Sequence, residues 1–298
     1  MRSPFFSIVI PCYNGANTLS ATLDTVVSQT FKNFEVVIVN NGSTDESLQV
    51  MESYSSLLPM NIISQKNAGV GGARNTGIQH SKGEFVSFLD ADDLWHETKL
   101  EKQFERLMFH SDNIDVLCHY EYLQKDGINQ QILKHGPYSD YFDILFKGNV
   151  LSPSATTVRR KSLKEVGLFS LDEKGHGAED WDLWLKLAKI NARFYYMEEV
   201  LGTYILHGQN FSVLPEFHER CNYVFESHVR SLGHTTPEIE TLIIGARSFN
   251  RLMAMKSQFY HGQYLAGFFS ALRSISSGIF NSFFWRQLGS KVLSLVKI

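Results

Sequence analysis

The sequence predicts an α/β fold, a Rossmann-like mixed sheet flanked by helices, followed by a helical C-terminal extension. Two observations lead to this prediction. Over residues 1–212, short apolar runs alternate with amphipathic helical patterns, and several runs end in polar loops rich in Gly, Asn or Asp. From residue 213 onward the pattern is helical. We therefore predict a sheet-bearing domain over 1–212 and a helical extension over 213–298.

The composition is that of an ordinary globular protein. The 298 residues are 43% hydrophobic and 20% charged, enough for one large or two smaller domains. The three cysteines are odd in number and widely spaced, which argues against a disulfide framework and for a reducing compartment. We see neither a zinc-ligand spacing nor a secretory signal. We therefore expect a cytoplasmic protein and, with a net charge of −3, no nucleic-acid partner.

The C-terminal part differs from the rest in charge. Residues 211–298 contain nine Lys and Arg against five Asp and Glu, and no acid follows Glu240. Residues 263–298 combine aromatic side chains with scattered bases, but no uncharged stretch reaches the ~20 apolar residues that span a bilayer. These helices either pack on the body or lie in a membrane interface. We expect peripheral contact with the inner face of the cell membrane through 263–298.

Two strand and helix units open the chain. Residues 7–11 are typical of a buried strand, and the turn at 14–17 leads into a helix with apolar residues at helical spacing. Residues 34–39 form the second predicted strand. Ser43 and Glu46 follow it at capping-box spacing, which predicts the start of a second helix. The polar loops of both units should therefore lie at one edge of the sheet.

A glycine-rich segment, residues 67–77, follows a short predicted strand at 62–64 and runs into a helix. The free backbone amides at a helix start suit phosphate. The segment is neither a dinucleotide fingerprint, because Arg74 replaces the last glycine, nor a Walker loop. It is therefore either an ordinary turn or a phosphate site, to which Arg74 would add a charged fork.

Three carboxylates end the most strand-like run of the chain. Residues 85–89 are short, apolar and aromatic, and Asp90, Asp92 and Asp93 follow them closely. Carboxylates this close repel one another unless they share a cation, and oxygen ligands bound together with phosphates suit Mg²⁺ or Mn²⁺. The alternative is a solvated acidic turn that caps the next helix. Ligands of open α/β sheets bind at such strand ends, so a metal and phosphate site is expected here.

A second acidic centre lies at Glu179 and Asp180, in the first turn of a predicted helix and after a loop with two glycines. A helix start favours negative charge, so helix stabilisation is one explanation and catalysis is the other. His207 follows the last predicted strand, where a lone histidine is either structural or a ligand. The other predicted elements are helices at 100–108, 138–147 and 161–166, and strands at 116–122, 154–158, 194–197 and 201–206.

Five segments together resemble the family 2 glycosyltransferases, which have the nucleotide-sugar-binding fold called GT-A. In order, they are residues 7–14, 39–45, 67–77, 90–93 and 179–180. The resemblance implies an inverting, direct displacement in which a sugar passes from a nucleotide-diphosphate donor to an acceptor hydroxyl. It also implies Mn²⁺ or Mg²⁺ as the cofactor.

The resemblance further implies roles for single residues. Asp180 would be the general base, with Glu179 beside it. Asp92, Asp93 and His207 would supply the metal ligands. The donor would be bound by Pro11, Tyr13, Asn14, Asn41, Asn67, Arg74, Asp90 and Asp92, the first four at the nucleotide base and Arg74 at the diphosphate.

One position departs from the family pattern. The family usually has Asp where this chain has Asn41, and that carboxylate accepts the uracil ring N–H. An amide oxygen also accepts, but without charge and with a donor beside it. We therefore expect a UDP-sugar first, with GDP and dTDP donors left open. The sequence lacks the polymerase motif Gln-x-x-Arg-Trp, which favours single addition to a cell-surface or lipid-linked glycan.

Two other functions remain open beside a hexosyl- or N-acetylhexosaminyl-type transferase. A nucleotidyltransferase that makes sugar nucleotides would carry a glycine-rich loop with Gly-Thr-Arg straight after the first strand, where this chain has residues 12–16. A catalytically silent relative would bind a nucleotide sugar without transferring it. The retained acids, Asp180 included, argue against a silent relative.

Overall fold

The computed structural model describes residues 3–110, 114–149, 151–208, 210 and 214–232. The chain divides into two compact units, residues 1–207 and 208–298, and each is described by itself. In the second unit the helix α8 (Pro215–Arg230) is described. The segment 263–298, for which we predict membrane contact, lies outside the described residues, and the helical extension over 213–298 stays a prediction.

Four parallel strands form the first half of the sheet. They are β1 (Phe6–Cys12), β2 (Phe34–Asn40), β3 (Met60–Ser64) and β4 (Phe85–Phe88). β1 lies between β2 and β4, and β3 lies beyond β2. Cys12 pairs with Asn40, and Asn40 pairs with Ser64, so the strands end at one common edge. The loops after β1 and β2 therefore meet there, as the sequence predicts.

Five further described strands make the sheet mixed. They are β5 (Leu94–Trp95), β6 (Val116–Lys125), β7 (Ile128–Leu133), β8 (Thr156–Arg159) and β9 (Phe194–Leu206). β8 runs antiparallel to both β4 and β6, and β9 is parallel to β6. β5 is antiparallel to β9, and β7 forms a hairpin with β6. The predicted mixed sheet is confirmed.

Three details of the strands differ from the prediction. β5 has two residues, and β7 is exposed and rich in Gln and Asn, so neither carries an apolar strand pattern in the sequence. The two strands predicted at 194–197 and 201–206 form the single strand β9. Pairing with β6 continues on both sides of Glu198 and Glu199 through an irregular register, which joins the two halves.

Helices cover the sheet of the first unit. They are α1 (Leu19–Val27), α2 (Ser47–Ser53), α3 (Gly69–His80), α4 (Lys99–Phe109), α5 (Tyr141–Lys147), α6 (Arg160–Glu165) and α7 (Glu179–Lys189). Leu19, Leu23 and Val26 of α1 are fully buried in one core cluster with Ile8 and Ile10 of β1. Each such side chain contributes about 1.5–3 kcal/mol by leaving water. None of the described helices is both long and apolar enough to cross a membrane.

The start of α2 corrects the predicted capping box. The helix begins at Ser47, and the residue before it, Glu46, makes no side-chain cap. Ser43 is therefore not the cap residue, and its Oγ instead accepts a hydrogen bond from the N–H of Asn14 in the loop after β1. The second helix is thus present as predicted, but Ser43 joins two loops instead of capping it.

The glycine-rich segment is mostly helix, because α3 begins at Gly69. Gly77 lies inside this helix and faces β1. A Cβ added at Gly77 would lie 2.4 Å from Cγ1 of Val9, so the missing side chain allows the helix to approach the strand closely. This packing fixes the start of α3 at the same sheet edge as the other loops.

Candidate active site

The loops after β1 and β2 are joined by hydrogen bonds between side chains and backbone. The N–H of Asn14 donates to Oγ of Ser43 (3.0 Å), and Oδ1 of Asn14 accepts from the N–H of Thr44 (2.8 Å). The N–H of Ala16 donates to Oδ2 of Asp45 (3.0 Å). Asn14 has a φ of 50°, a left-handed conformation that Asn tolerates better than most residues. The two loops therefore form one wall of the site.

The residues predicted to contact the nucleotide base differ in exposure. The side chain of Tyr13 is 53% exposed, so its ring is available to stack on a planar base. Pro11 is buried within β1 and pairs with Val39. This places Pro11 beneath the wall and Tyr13 on its surface.

Asn41 is 3% exposed, and its amide is fully hydrogen-bonded. Oδ1 accepts from Nε2 of Gln65 (2.8 Å) and from the N–H of Ala68 (3.0 Å). Nδ2 donates to Oδ1 of Asn67 and to the carbonyl of Gly69 (both 3.2 Å). A backbone N–H only donates and a carbonyl only accepts, so these two partners fix the orientation of the amide. Asn41 thus joins the β2 loop to the start of α3 and keeps no hydrogen-bonding capacity for a base.

Arg74 lies between two carboxylates and is 4% exposed. One terminal nitrogen donates to both oxygens of Asp90 (2.7 and 3.0 Å), and the other donates to Oε1 of Glu179 (3.0 Å). The guanidinium also lies over the ring of Phe169, 5.4 Å from its centroid. Burial alone would lower the pKa of Arg74, but the charges of Asp90 and Glu179 raise it above its usual value. Arg74 therefore bridges the acidic loop and the start of α7.

Asp92 and His207 form a partly exposed pair. Nε2 of His207 lies 2.7 Å from Oδ2 of Asp92, and the two side chains are 32% and 28% exposed, respectively. Oδ1 of Asp92 has no hydrogen-bond partner among the residues that the structure describes. Burial and the neighbouring charge of Asp90 raise the pKa of Asp92 above its ordinary value. A cation bound here would favour the ionised carboxylate.

Asp93 is 1% exposed and has a different environment. Oδ2 accepts from Oγ of Ser154 (2.6 Å), and Oδ1 accepts from the N–H of Ile205 (3.0 Å). Oγ of Ser154 also accepts from the N–H of Asp90 (3.1 Å). Burial and the charge of Asp92 raise the pKa of Asp93 well above its ordinary value. Asp93 therefore holds the acidic loop to β9 through Oδ1 and to Ser154, just before β8, through Oδ2.

The acidic loop fits a divalent cation that substrate oxygens help to hold. In the described part of the chain, no three His, Cys, Asp or Glu side chains form a metal-binding group. Mg²⁺ in nucleotide sites usually takes one or two carboxylates, with phosphates and water as the other ligands. Asp92 and His207 could supply such a pair of protein ligands, whereas both oxygens of Asp93 are already hydrogen-bonded.

Glu179 and Asp180 open α7, as predicted, but they are held differently. Glu179 is 4% exposed, and its second oxygen accepts from the N–H of Gly177 (2.5 Å). Asp180 is partly exposed, and its Oδ1 accepts from Nδ2 of Asn149 (2.9 Å) and from the N–H of Trp181 (2.8 Å). Its Oδ2 accepts no hydrogen bond from the described residues. One oxygen of Asp180 is thus oriented and the other is available.

The surroundings of Asp180 raise its pKa to about 7. Burial is the largest cause and the charge of Glu179 adds to it, whereas Asn149 and Arg74 act in the opposite direction. A general base works best when its pKa lies near the operating pH, because it is then both ionised and basic enough to take a proton. The pair at the start of α7 therefore consists of an anchored carboxylate and a candidate base.

Sequence reasoning did not identify Asn149 and Ser154. Asn149 follows the helix predicted at 138–147, and it contacts Asp180 across 31 positions of sequence. Ser154 begins a predicted strand and contacts Asp93 across 61 positions. Neither residue lies in a motif, so no signal in this single sequence points to these contacts.

A mixed sheet with acidic and basic side chains at the carboxyl ends of its strands is typical of ligand-binding α/β proteins. The model of the family described as "Glycosyl transferase family 2" matches residues 7–167, and the chain belongs to this family. S. aureus TarS 1-349 in complex with UDP-GlcNAc is similar in fold, with a TM-score of 0.63 at 24% identity, covering 86% of this chain and 72% of that chain. The mannosyltransferase PcManGT from Pyrobaculum calidifontis in complex with GDP-Man and Mn²⁺ has a TM-score of 0.62 at 17% identity, covering 100% and 82%. The fold is GT-A, as predicted.

Relatives in sequence carry glycosyltransferase names. An uncharacterized glycosyltransferase of Rickettsia typhi is 34% identical over 206 residues, which are 67% of this chain and 63% of that protein. The amylovoran biosynthesis glycosyltransferase AmsB of Erwinia amylovora is 30% identical over 215 residues, 68% of this chain and 70% of that protein. The matches cover 34% to 63% of the length of the first five relatives, all from Rickettsia species.

Proposed function

We propose that this chain is an inverting, metal-dependent glycosyltransferase that moves one sugar from a nucleotide-diphosphate donor to an acceptor hydroxyl. The observation that carries the proposal is the position of Arg74 between Asp90 and Glu179. This guanidinium links the acidic loop, where a donor diphosphate and its cation would lie, to the helix start that bears Asp180. A binding site and a candidate base are thus built as one unit.

On the donor side, Tyr13 would stack on the nucleotide base, and Asn14 and Asp90 would border the ribose and phosphates. The loops that make these contacts would be held in place by four residues that do not themselves contact the donor: Pro11, Asn41, Asn67 and Arg74. A UDP-sugar is our first choice, supported by the resemblance of the motifs and by the UDP-GlcNAc complex of TarS. A GDP-sugar is the alternative, because PcManGT binds GDP-Man with a similar fold.

The cation would be held by Asp92 and His207 together with oxygens of the diphosphate, and Asp93 would hold the loop that carries Asp92. Mn²⁺ or Mg²⁺ supplies charge neutralisation for the departing nucleotide diphosphate. The PcManGT complex with Mn²⁺ supports the choice of metal. No partner among the described residues occupies Oδ1 of Asp92, which leaves that oxygen able to bind a cation.

Asp180 would act as the general base. Its Oδ2 would accept the proton of the acceptor hydroxyl while the hydroxyl oxygen bonds to the anomeric carbon and the bond to the diphosphate breaks. Asn149 and the N–H of Trp181 would hold the carboxylate in place through Oδ1. Glu179 would take no proton, because both of its oxygens are engaged by Arg74 and Gly177.

The acceptor we propose is a cell-surface or lipid-linked glycan, and the sugar a hexose or N-acetylhexosamine. The names of two relatives support a polysaccharide pathway: AmsB, and the putative teichuronic acid biosynthesis glycosyltransferase TuaG of Bacillus subtilis, which is 27% identical over 211 residues. Peripheral contact with the inner membrane face through residues 263–298 remains part of the proposal. Removing 263–298 should then weaken binding to anionic vesicles, and equal binding by the shortened chain would contradict this part.

Calorimetric titration of UDP, GDP, dTDP and CDP tests the donor site, each with Mn²⁺ and again with EDTA. We expect one nucleotide to bind in a metal-dependent way. Asp180→Asn should bind that nucleotide normally and lose transfer by ~10²-fold or more, as for a lost general base. Asp126→Asn is the matched control, because Asp126 lies in the exposed turn between β6 and β7. Retained transfer by Asp180→Asn would assign the base to another residue.

A catalytically silent nucleotide-sugar-binding protein is the second candidate function. Such a protein would bind the same nucleotide. Adding acceptors would not accelerate cleavage of the nucleotide sugar. The geometry at Asp180, with one oxygen oriented and the other available, favours the transferase. The family match gives no support to a sugar nucleotidyltransferase.

A further inference from the structure

A second group of polar side chains is buried completely, between α4 and β6. Lys99 and Gln103 lie one turn apart on α4, and His119 and Glu121 lie two residues apart on β6. All four residues are 0% exposed. Charged and polar side chains are almost never buried this deeply without partners. Each of these side chains therefore needs hydrogen-bond partners inside the protein.

Each of the four side chains leaves one buried polar atom without a hydrogen-bond partner among the described residues. These atoms are Nζ of Lys99, Nε2 of Gln103, Nε2 of His119 and Oε1 of Glu121. The opposite ends of three of the side chains are well placed in the protein. Oε1 of Gln103 accepts from Thr157 (2.9 Å), Nδ1 of His119 contacts the carbonyl of Tyr120 (2.8 Å), and Oε2 of Glu121 lies 3.0 Å from Nε2 of His135. These hydrogen bonds fix the positions of Gln103, His119 and Glu121, and the second polar atom of each side chain has no hydrogen-bond partner among the described residues.

The four unpartnered atoms comprise two donors and two acceptors. Burial lowers the pKa of Lys99 well below its ordinary value, and its amino group, like the amide NH₂ of Gln103, carries N–H groups that donate. Nδ1 of His119 must carry the proton, because the atom it contacts is a carbonyl oxygen. Burial lowers the pKa of His119 well below its ordinary value, so the ring is neutral and Nε2 accepts. Oε1 of Glu121 is the second acceptor.

The backbone of β9 passes close to these acceptors. Gly202 pairs with Glu121 in the parallel register of β6 and β9. A Cβ added at Gly202 would lie 3.1 Å from Cε1 of His119 and 3.3 Å from Oε1 of Glu121. A Cβ here would be crowded by both side chains and by the carbonyl of Leu94, also 3.3 Å away, so glycine allows the strand to lie against them. His119 and Glu121 therefore face the same point of β9.

We propose that this cluster is an internal water-binding site. One or more ordered water molecules accept hydrogen bonds from Lys99 and Gln103 and donate to His119 and Glu121. A water molecule offers two donors and two acceptors, which is the complement of this set, and buried waters of globular proteins typically make about three hydrogen bonds. The water connects α4 to β6 through these four side chains.

The water site also supports the acidic loop from within. Nζ of Lys99 lies 3.3 Å from the ring centroid of Trp95, and Nε1 of Trp95 donates to the carbonyl of Ser154 (2.8 Å). Ser154 in turn donates to Asp93. A continuous set of contacts thus runs from the buried cluster to the acidic loop. The inference does not depend on the proposed function, because it follows from the internal contacts of the fold.

A crystal structure of the full chain tests the site directly. We expect solvent density within about 2.7–3.2 Å of both Nζ of Lys99 and Oε1 of Glu121. Direct contact between these two atoms, with no solvent density, would overturn the proposal. In solution, ¹⁵N chemical shifts should show a neutral His119 with the proton on Nδ1. A doubly protonated ring at neutral pH would remove one acceptor and count equally against the site.

A double-mutant cycle adds a test of the shared water. Gln103→Leu and Glu121→Gln should shift the urea midpoint less in combination than the sum of their separate shifts, because each removes a partner of the same water. Additive shifts would mean that the two side chains share no ligand, which contradicts the proposal. Thr157→Val is the control for Gln103, since it removes the partner of Oε1 and leaves the unpartnered Nε2 in place. It should be additive with Glu121→Gln.

Discussion

Nδ2 of Asn149 donates a 2.9 Å hydrogen bond to Oδ1 of Asp180, the carboxylate that we propose as the general base. The bond favours the ionised form of Asp180, while burial and the charge of Glu179 favour the protonated form. The balance leaves the pKa at about 7. Asn149 therefore both orients the carboxylate and lowers the pH at which it becomes basic.

The pH dependence of transfer should report this balance. Because the base acts when ionised, kcat/KM should rise with pH and level off above an apparent pKa of about 7. Asn149→Ala removes a contact that lowers the pKa of Asp180, so the acidic limb should move to higher pH. The measurement is the pH profile of nucleotide release in the presence of acceptor. Asn61→Ala, at an exposed position of β3, should leave the profile unchanged, and an unshifted limb in Asn149→Ala would contradict the assignment.

Asp92 and Asp93 should respond differently to the same substitution. Asp92→Ala should abolish the Mn²⁺ dependence of nucleotide binding and change the free energy of unfolding by less than about 0.5 kcal/mol, because this side chain is partly exposed. Asp93→Ala leaves the hydroxyl of Ser154 and the N–H of Ile205 without their acceptor. We expect it to cost about 1–3 kcal/mol of stability. Calorimetric titration and urea unfolding measure the two quantities.

The variants Asp92→Ala and Asp93→Ala serve as controls for each other, because each removes one carboxylate from the same loop. Equal loss of stability in the two variants would mean that Asp92 also supports the fold. Metal-dependent binding that survives Asp92→Ala but not Asp93→Ala would make Asp93 the ligand.

Much of the fold follows from local sequence patterns. β1 and β2 are apolar runs long enough to recognise, and each ends in a polar loop, so their common edge could be predicted. β7 could not, because its exposed Gln and Asn residues resemble a loop and its pairing with β6 supplies the structure. Periodicity records which side chains face the core. It carries no information on an exposed hairpin.

The candidate site was predicted as a set of positions but not as a set of contacts. Arg74 was expected at a diphosphate because of its place after glycines, yet Glu179, 105 positions later in the chain, takes one end of its guanidinium. Asn41 was expected to contact a base, yet its amide is used by the start of α3. In both cases the partner comes from another element. Motif spacing within one segment cannot indicate such a partner.

Arg74 should be required for both stability and the position of the base. Arg74→Met leaves Asp90 and Glu179 without their shared cation, and breaking a buried ion pair costs about 3–5 kcal/mol. Arg74→Lys keeps the charge but cannot reach both carboxylates with a planar fork, so it should recover only part of the loss. Urea unfolding measures these changes in the free energy of unfolding.

A surface pair provides the control for Arg74. Lys147 lies 2.8 Å from Asp143, one turn away on α5, and its side chain is 49% exposed. Lys147→Met should change stability by about 0.5 kcal/mol or less. The double variant Arg74→Met with Glu179→Gln should be more stable than Arg74→Met alone, because it removes one unpaired charge. Equal effects of Arg74→Met and Lys147→Met would contradict the bridging role.

Asn41→Asp distinguishes the contact seen here from the one that the family resemblance implies. If residue 41 read a uracil ring, a carboxylate should strengthen UDP binding. In this structure the amide donates to Asn67 and to the carbonyl of Gly69, and a carboxylate would face both acceptors without a hydrogen to offer. We therefore expect Asn41→Asp to cost about 1–3 kcal/mol of stability and to weaken UDP and GDP binding alike. Asn61→Asp, the same change at an exposed position, should do neither. Tighter UDP binding with unchanged GDP binding would mean that the side chain leaves its partners to contact the base.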